Sequence, residues 1–342
     1  MLTSPSTGRQ TEADRRLRLV SLIKAFPGRR VLVVGDLIAD EFIYGQVSRV
    51  SREAPVLILR YGATEVVAGG AGNAANNVAA LGGHAALAGM VGTDGEGRRL
   101  LSSLGRRVDR TRIVRSRGYR TPIKTRVLAG GAHSAKQQVV RIDREAGWPL
   151  DDGVSRAFSR KLRSAVKGCD AVLLSDYGSG LVTPALGRMI RSVVGARVPI
   201  LVDSRYQLLD FRGLTMCTPN ESEVEQVLGV RIADDGLVLE QAGRRLLRRT
   251  GMQAVLITRG SRGMALFQPG RPTVHMPIVG SDEVADVTGA GDTVIATAAL
   301  ALAAGASFRE AADLANHAGG LVVMKRGTAT VSAGELRTSV GA

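Results

Sequence analysis

Short apolar runs that are typical of buried strands alternate with helical patterns along most of this chain. The strand-like runs are rich in β-branched residues and leucine, and they lie at residues 31–34, 85–91, 171–175, 200–203, 216–219 and 254–259. Helical patterns lie between them, at residues 73–81, 96–104, 154–166, 184–194, 221–228 and 237–249. This alternation predicts an α/β fold with a mainly parallel sheet and helices on both of its faces.

Two segments, residues 42–67 and 118–143, break this alternation. They contain consecutive strand-like pieces without a helix between them, at residues 56–61, 64–67, 123–128 and 138–142. We therefore expect a small separate β-sheet that extends from the main body as a lid. Residues 1–12 are expected to be a loose tail and residues 13–26 a short amphipathic helix.

Composition and charge limit the partners that we expect. The net charge of +15 would suit nucleic acid or phosphorylated small molecules, but the basic residues are mostly scattered arginines, and aromatic residues make up only 4% of the chain. We therefore expect neither nucleic acid nor a membrane as partner, since no run of about 18 uncharged apolar residues is present. Two cysteines without CxxC spacing indicate a reduced, cytoplasmic protein.

The first motif that could carry chemistry is DVTGAGD at residues 286–292, before a helical run from 293 to 304. Its small residues leave the backbone N–H groups of residues 289–292 free, and a helix start favours an anion such as a phosphate. Asp292 would lie beside that anion site and could accept the proton of an attacking hydroxyl. The alternative is a glycine-rich turn with an aspartate cap.

A second glycine-rich motif, AGGAGNAANN, occupies residues 68–77. Gly69, Gly70 and Gly72 allow a ligand to approach the backbone, and Asn73 could bind sugar hydroxyls. The dinucleotide pattern GxGxxG is not satisfied. The alternative is that these glycines serve helix–strand packing.

The third motif, TPNESE at residues 218–223, joins a strand end to a helix. Asn220 and Glu223 lie one helical turn apart and could hold hydrated magnesium beside a nucleotide. The alternative is a capped helix start, with Glu223 as the capping-box acid.

Together and in this order, the three motifs resemble the ribokinase or PfkB carbohydrate kinase family, over residues 30–335. Within it, four further stretches are similar to the D-glycero-β-D-manno-heptose-7-phosphate kinases: residues 35–56, 173–182, 275–295 and 315–332. Those enzymes transfer the γ-phosphate of ATP to the C1 hydroxyl of heptose 7-phosphate, and the product enters ADP-heptose synthesis. The resemblance implies a ribokinase-like kinase domain over 30–335, preceded by a tail and short helix over 1–29 and followed by a tail over 336–342.

The resemblance also implies roles for individual residues. Asp292 would be the catalytic base, with Gly289, Ala290 and Gly291 as the anion hole. The ATP–magnesium site would comprise Asn220, Glu221, Ser222, Glu223, Thr258, Arg259, Gly260, Thr288 and Asn316, with Glu223 nearest the metal. The sugar or its phosphate would contact Asp40, Gly69, Gly70, Asn73, Lys124, Arg126, Arg141 and Asp203.

Two departures from the heptose kinases leave the sugar open. Residues 203–206 are DSRY where Asp-Pro-Lys-Gly is usual, so that Arg205 offers a planar fork in place of a point charge. Val67 and Ala68 stand where a basic residue and proline are usual. No nucleotidyltransferase domain is expected after the kinase domain, so a separate nucleotidyltransferase would act next.

Three functions stay open on this basis. The first is a kinase for a heptose phosphate, and the second is a ribokinase- or fructokinase-like enzyme for an unphosphorylated sugar. The third is a non-catalytic sugar or nucleotide sensor. The resemblance further implies a homodimer formed through the lid, ATP and Mg²⁺ as cofactors, and, in some relatives, K⁺ beside the position of Asp286.

Overall fold

The computed structural model describes residues 11–130, 136–146, 152–280 and 286–341. Its strands are β1 (Arg30–Gly35), β2 (Leu37–Val50), β3 (Leu57–Gly70), β4 (His84–Ala88), β5 (Met90–Gly92), β6 (Val108–Asp109), β7 (Val114–Ser116), β8 (Ile123–Gly130), β9 (Gln137–Arg144), β10 (Ala171–Asp176), β11 (Ile200–Ser204), β12 (Met216–Cys217), β13 (Ala254–Thr258), β14 (Met264–Phe267) and β15 (Val274–Met276). Its helices are α1 (Glu12–Lys24), α2 (Ala71–Ala80), α3 (Gly95–Ser103), α4 (Asp152–Ala165), α5 (Pro184–Val194), α6 (Glu221–Leu228), α7 (Gly236–Thr250), α8 (Ala290–Ala303), α9 (Phe308–Val322) and α10 (Ala333–Val340).

Nine of the described strands form the main sheet, in the order β15-β14-β13-β12-β11-β10-β1-β4-β6. The strands from β13 to β6 are parallel, and only β14 and β15 pair antiparallel at one edge. The predicted α/β class with a mainly parallel sheet is therefore confirmed. Because parallel strands end at the same edge, the turns after β1, β10, β11 and β13 converge there.

Helices cover both faces of this sheet. On one face, α1, α2, α3, α8, α9 and α10 contribute to one buried apolar cluster. On the other face, α4, α5, α6 and α7 contribute to a second cluster. Within the ranges given above, no helix is both long and apolar enough to span a bilayer.

A second sheet of four strands, ordered β3-β2-β8-β9, extends from the main body. We call it the lid sheet. β2 pairs antiparallel with β3 and parallel with β8, and β8 pairs antiparallel with β9. The predicted small sheet is confirmed, but it is longer than expected: β2 begins at Leu37 and β3 runs without interruption to Gly70.

The strand predicted at residues 85–91 is in fact two strands in different sheets. β4 belongs to the main sheet, whereas β5 pairs with β7 in a separate two-stranded sheet. Gly89 separates them, and a Cβ atom at this position would lie 2.7 Å from the carbonyl oxygen of Gly35. The chain can therefore change direction here only because glycine lets the two backbones approach.

The predicted C-terminal tail at 336–342 is wrong for the described residues, which form α10 up to Val340. Ser332 and Glu335 form a capping box at its start, and Leu336 and Val340, four residues apart, are buried. The predicted N-terminal helix is confirmed as α1, and its Leu22 is buried in the same apolar cluster as Leu336 and Val340. Residues 1–10 of the expected N-terminal tail lie outside the described residues.

Candidate active site

A cavity of about 570 Å³ lies between the carboxyl ends of the main-sheet strands and the lid sheet. From the residues predicted for the anion hole and base, it includes Gly289, Ala290, Gly291 and Asp292. From those predicted for the nucleotide, it includes Asn220, Glu223, Thr258, Gly260, Thr288 and Asn316. From those predicted for the sugar, it includes Asp40, Gly70, Lys124, Arg126, Arg141 and Asp203. Residues that are distant in sequence thus face one space.

Asp292 lies in the first turn of α8 and is only 3% exposed. One carboxylate oxygen, Oδ2, accepts a hydrogen bond from Nδ2 of Asn73 at 3.0 Å, and the other, Oδ1, accepts one from the hydroxyl of Tyr177 at 3.1 Å. Burial, with a smaller contribution from the negative charge of Asp40, raises the pKa of Asp292 to about 7, although both hydrogen bonds oppose this rise. Such a carboxylate can accept a proton near neutral pH.

The turn before α8 uses the backbone N–H of Ala290, which donates to the carbonyl oxygen of Val287 at 3.2 Å, so Ala290 does not offer its amide to the predicted anion hole. The N–H groups of Gly291 and Asp292 have no partner among the described residues.

Gly289 has φ of 78°, in the left-handed region that glycine tolerates best. A Cβ atom there would lie 2.5 Å from Nδ2 of Asn73. Asp286 holds the turn, because its two carboxylate oxygens accept the backbone N–H groups of Thr288 at 2.8 Å and Gly327 at 3.0 Å.

Asn220 and Glu223 cap the start of α6 and also line the cavity. The Oδ1 atom of Asn220 accepts the N–H of Glu223 at 2.9 Å, and Oε2 of Glu223 accepts the N–H of Asn220 at 2.9 Å. The structure therefore shows the capped helix start that was the alternative interpretation of this motif. Both side chains nevertheless line the cavity.

A pair of acidic side chains, Asp203 and Glu223, faces this part of the cavity. Burial and the negative charges of Glu223 and Asp292 raise the pKa of Asp203 well above its usual range, and burial also raises the pKa of Glu223. Within the described residues, no group of three or more Asp, Glu, His or Cys side chains could hold a metal ion by itself. Two oxygen donors that repel each other nevertheless suit Mg²⁺ bound chiefly through phosphates and water.

Three residues predicted to contact the nucleotide do not line the cavity. Nε of Arg259 lies 2.7 Å from Oε1 of Glu221, whose other oxygen contacts Arg262. Ser222 is exposed on α6. The pairing of Glu221 with Arg259 joins α6 to the end of β13 behind the cavity wall.

Asp40 and Arg126, predicted to contact the sugar, form a buried ion pair with 2.6 Å between Oδ1 and a guanidinium nitrogen. Gly69 gives this pair room, since a Cβ atom there would lie 2.2 Å from Oδ2 of Asp40. Neither Gly69 nor Asn73 lines the cavity. Gly69 leaves room for the side chain of Asp40, and Asn73 donates a hydrogen bond to Asp292, and both of these aspartates line the cavity.

The other predicted cations of the lid sheet differ in their partners. Arg141 pairs with Asp143 at 2.7 Å. Lys124 forms no ion pair with any described residue, and its Nζ atom lies 4.6 Å from the centre of the Tyr177 ring. Burial lowers the pKa of Lys124, with the charge of Asp40 opposing this change. Lys124 is therefore more available to a ligand than Arg126 or Arg141.

Tyr177, whose hydroxyl contacts Asp292, was not predicted as a site residue, and Arg205 entered only as a departure from a family pattern. Both residues line the cavity. The available signal was their position, because each follows the end of a buried parallel strand, β10 or β11, at the edge where ligands bind in open α/β sheets.

Comparisons with known proteins agree with this geometry. A family model described as pfkB family carbohydrate kinase matches residues 29–333. The chain is 42% identical over 330 residues to the Bifunctional protein HldE of Trichlorobacter lovleyi, covering 96% of this chain and 66% of that protein. It is 43% identical over 323 residues to the Bifunctional protein HldE of Caulobacter vibrioides, covering 93% and 65%. The chain therefore spans slightly less than two thirds of the length of these curated relatives.

Solved structures support the same fold. The Arabidopsis thaliana ribokinase complexed with ribose and ATP superposes with a TM-score of 0.70 at 21% identity, covering 92% of this chain and 98% of that one. Escherichia coli phosphofructokinase-2 in complex with substrates and products gives a TM-score of 0.73 at 20% identity, covering 91% and 98%. From the family match, the level of identity and the shared fold, we conclude that this chain belongs to the pfkB family of carbohydrate kinases.

Proposed function

We propose that this chain transfers the γ-phosphate of ATP to the C1 hydroxyl of D-glycero-β-D-manno-heptose 7-phosphate. The observation that carries this proposal is Asp292, a buried carboxylate with a pKa raised to about 7, at the start of α8, where the backbone N–H groups of Gly291 and Asp292 have no partner among the described residues. Membership of the pfkB family and the similarity to proteins named HldE support the sugar kinase activity. The heptose-kinase-like stretches of the sequence support the choice of sugar.

In this proposal Asp292 accepts the proton of the attacking C1 hydroxyl. The backbone N–H groups of Gly291 and Asp292, which have no hydrogen-bond partner among the described residues, would stabilise the negative charge on the phosphoryl oxygens at the helix start. Holding the hydroxyl and the phosphoryl group in line within one cavity makes the transfer effectively unimolecular.

Glu223, with Asn220 and Asp203 beside it, would hold magnesium and the phosphates of ATP. When bound, Mg²⁺ supplies positive charge that offsets the charge developing on the phosphates. The oxygen donors and their raised pKa values fit such an ion, because a bound cation relieves the repulsion between the two carboxylates. A monovalent ion beside Asp286 stays an expectation, since both oxygens of Asp286 already accept backbone N–H groups.

On the other side of the cavity, Asp40 would accept hydrogen bonds from sugar hydroxyls, with its carboxylate oriented by Arg126. Lys124 would attract the phosphate of the acceptor. Arg141, already paired with Asp143, contributes to the positive potential of this side.

A kinase for an unphosphorylated sugar is the second candidate function. It is favoured by a specific observation: two of the three lid cations, Arg126 and Arg141, are paired with carboxylates. Fewer cations are then available to an acceptor phosphate than the sequence suggests.

An ADP-release assay with ATP and Mg²⁺ separates these functions. We expect rapid turnover with D-glycero-β-D-manno-heptose 7-phosphate and a kcat/KM at least about 10²-fold lower for ribose and fructose, which lack the phosphate. Preference for a free sugar would overturn the proposed substrate but keep the kinase. Binding of ATP without turnover of any sugar would favour a non-catalytic sensor.

The pH dependence of the reaction follows from the raised pKa of Asp292. Because only the ionised carboxylate accepts a proton, kcat/KM for the acceptor should rise with pH through about 7 and level off above it. The profile is measured from pH 5 to 9, and the ionisation of the acceptor phosphate is followed separately by ³¹P NMR. An acid limb near pH 4 would contradict a buried base at this position.

The proposal includes two partners. A nucleotidyltransferase activity would consume the sugar 1-phosphate, in line with the word bifunctional in the names of the HldE relatives. A second copy of the chain would pack on the lid sheet, where the apolar residues Val47, Val50, Leu57 and Tyr61 are exposed.

A further inference from the structure

The loop after β10 is fixed by a buried aspartate that the proposed mechanism does not use. Asp36 follows β1 and is 1% exposed. Its Oδ2 atom accepts the backbone N–H groups of Tyr177 at 2.7 Å and Ser179 at 3.2 Å, and its Oδ1 atom accepts the hydroxyl of Ser179. Three donors from one short loop thus meet a single carboxylate at the end of the neighbouring strand. The backbone of Tyr177 cannot shift without breaking this group of hydrogen bonds.

The same loop places the hydroxyl of Tyr177 beside the carboxylate of Asp292. The Tyr177 hydroxyl lies 3.1 Å from Oδ1 of Asp292, while Nδ2 of Asn73 lies 3.0 Å from Oδ2. Each carboxylate oxygen therefore has one protein donor and keeps a lone pair for the substrate. The Tyr177 ring is itself held between Gly70, where a Cβ atom would lie 3.4 Å from it, and the ammonium group of Lys124.

From this chain of contacts we infer that Tyr177 is a positioning residue for the base Asp292, and that Asp36 sets the place of Tyr177. The inference rests on the proposed function, in which Asp292 takes the proton of the acceptor hydroxyl. It assigns a role to the loop after β10 that neither the family match nor the three sequence motifs supply.

The hydrogen bond from Tyr177 and the charges around Asp292 together set the pKa of this carboxylate. Asp40 from β2 is negative and disfavours the ionised carboxylate, whereas Lys124 from β8 is positive and favours it. The ionised Asp292 in turn raises the pKa of Asp203 from β11. Donation from Tyr177 stabilises the ionised form, so it lowers the pKa of Asp292 from the higher value that burial alone would give. Without the hydroxyl, a smaller fraction of the enzyme carries an ionised base at neutral pH.

The substitution Tyr177→Phe removes this hydroxyl and keeps the ring. We expect the acid limb of the kcat/KM profile to move up by about half to one pH unit. Activity at pH 6.5 should fall by about 3- to 8-fold and recover towards the wild-type value near pH 9, because deprotonation of the base is then nearly complete. KM for ATP should stay unchanged, since Tyr177 acts through Asp292.

Tyr206→Phe is the matched control. Tyr206 is 57% exposed and its ring lies beside Gly178 of the same loop, where a Cβ atom would be 2.8 Å away. No hydrogen bond links its hydroxyl to Asp292, so the substitution should leave the acid limb in place.

Asp36→Asn tests the anchor. An amide lacks the negative charge of the carboxylate and has one acceptor oxygen in place of two, so the hydrogen bonds that hold the loop weaken and Tyr177 should be less firmly placed. We expect the acid limb to shift in the same direction as in Tyr177→Phe. The double variant Tyr177→Phe/Asp36→Asn should shift no further than Tyr177→Phe alone, because both changes remove the same contact.

A pH-independent loss of activity in Tyr177→Phe, or a profile equal to that of the wild type, would overturn the inference. Direct titration of Asp292 by ¹³C NMR of carboxyl-labelled protein, with the resonance assigned through Asp292→Asn, gives a readout that needs no turnover. A higher pKa of Asp292 in Tyr177→Phe would support the inference even if no sugar in the panel were phosphorylated. An unchanged pKa would reject it while the kinase proposal stood.

Discussion

Replacing Asp292 with asparagine should lower kcat by about 10²- to 10⁴-fold, the contribution that a positioned general base makes in enzymes. An amide keeps the size of the side chain but cannot take the proton of the acceptor hydroxyl. Because burial already disfavours the charged carboxylate at this position, the neutral amide should not lower the free energy of unfolding at pH 8. The measurement is the initial rate of ADP release at saturating ATP and acceptor.

The control for this variant is nucleotide binding. The carboxylate of Asp292 bonds to Asn73 and Tyr177, whereas Asn220 and Glu223, proposed to hold ATP and magnesium, bond to each other. Calorimetry should therefore give a dissociation constant for ATP within a few-fold of the wild type. A variant that turns over at nearly the wild-type rate would remove Asp292 from the mechanism. A variant that loses ATP binding as well would show that the substitution disrupts the cavity as a whole.

Gly289→Ala should reduce kcat by about 10²- to 10³-fold, the effect of losing one oxyanion donor in other enzymes. Two features of this position cause the loss. The backbone has φ of 78°, which alanine adopts only with strain, and a Cβ atom would lie 2.5 Å from Nδ2 of Asn73. The turn must shift, and with it the amides at the start of α8 and the hydrogen bond from Asn73 to Asp292.

Gly305→Ala gives a matched control just beyond the other end of α8. Gly305 has φ of 86°, so alanine meets similar backbone strain, but no atom lies within 4 Å of the added Cβ. Both variants should lose about 1 kcal/mol of stability from the backbone, whereas only Gly289→Ala should lose activity. Equal activities of the two variants would mean that the turn before α8 does not hold the transferring phosphoryl group.

Much of the fold could be predicted because strand and helix patterns differ in period. The β10 and β11 regions were predicted from continuous apolar runs, and α5 and α6 were predicted with the bounds that the structure has. The C-terminal helix α10 was missed although its signals are local. Leu336 and Val340 are too few apolar residues for a periodic pattern, and their burial depends on packing against α1 and α9.

Most residues of the candidate site could be predicted from sequence motifs, but the contacts between their side chains could not. Asn220 and Glu223 illustrate this limit, because the capping interpretation and the cavity-lining interpretation are both met by the same two side chains. The contact between Tyr177 and Asp292 joins positions 115 residues apart, so no local pattern reports it. The pairing of Arg126 with Asp40 likewise depends on the register between β2 and β8.

The most direct test of the proposed function is the identity of the product. Purified protein is incubated with ATP, Mg²⁺ and D-glycero-β-D-manno-heptose 7-phosphate, and the reaction is followed by ³¹P NMR beside an identical sample of Asp292→Asn. We expect a new phosphate resonance coupled to the anomeric proton, formed together with ADP, in the wild-type sample and its near absence in the variant. ATP left intact in the wild-type sample, or transfer of the new phosphate to a hydroxyl other than that of C1, would contradict the proposed function.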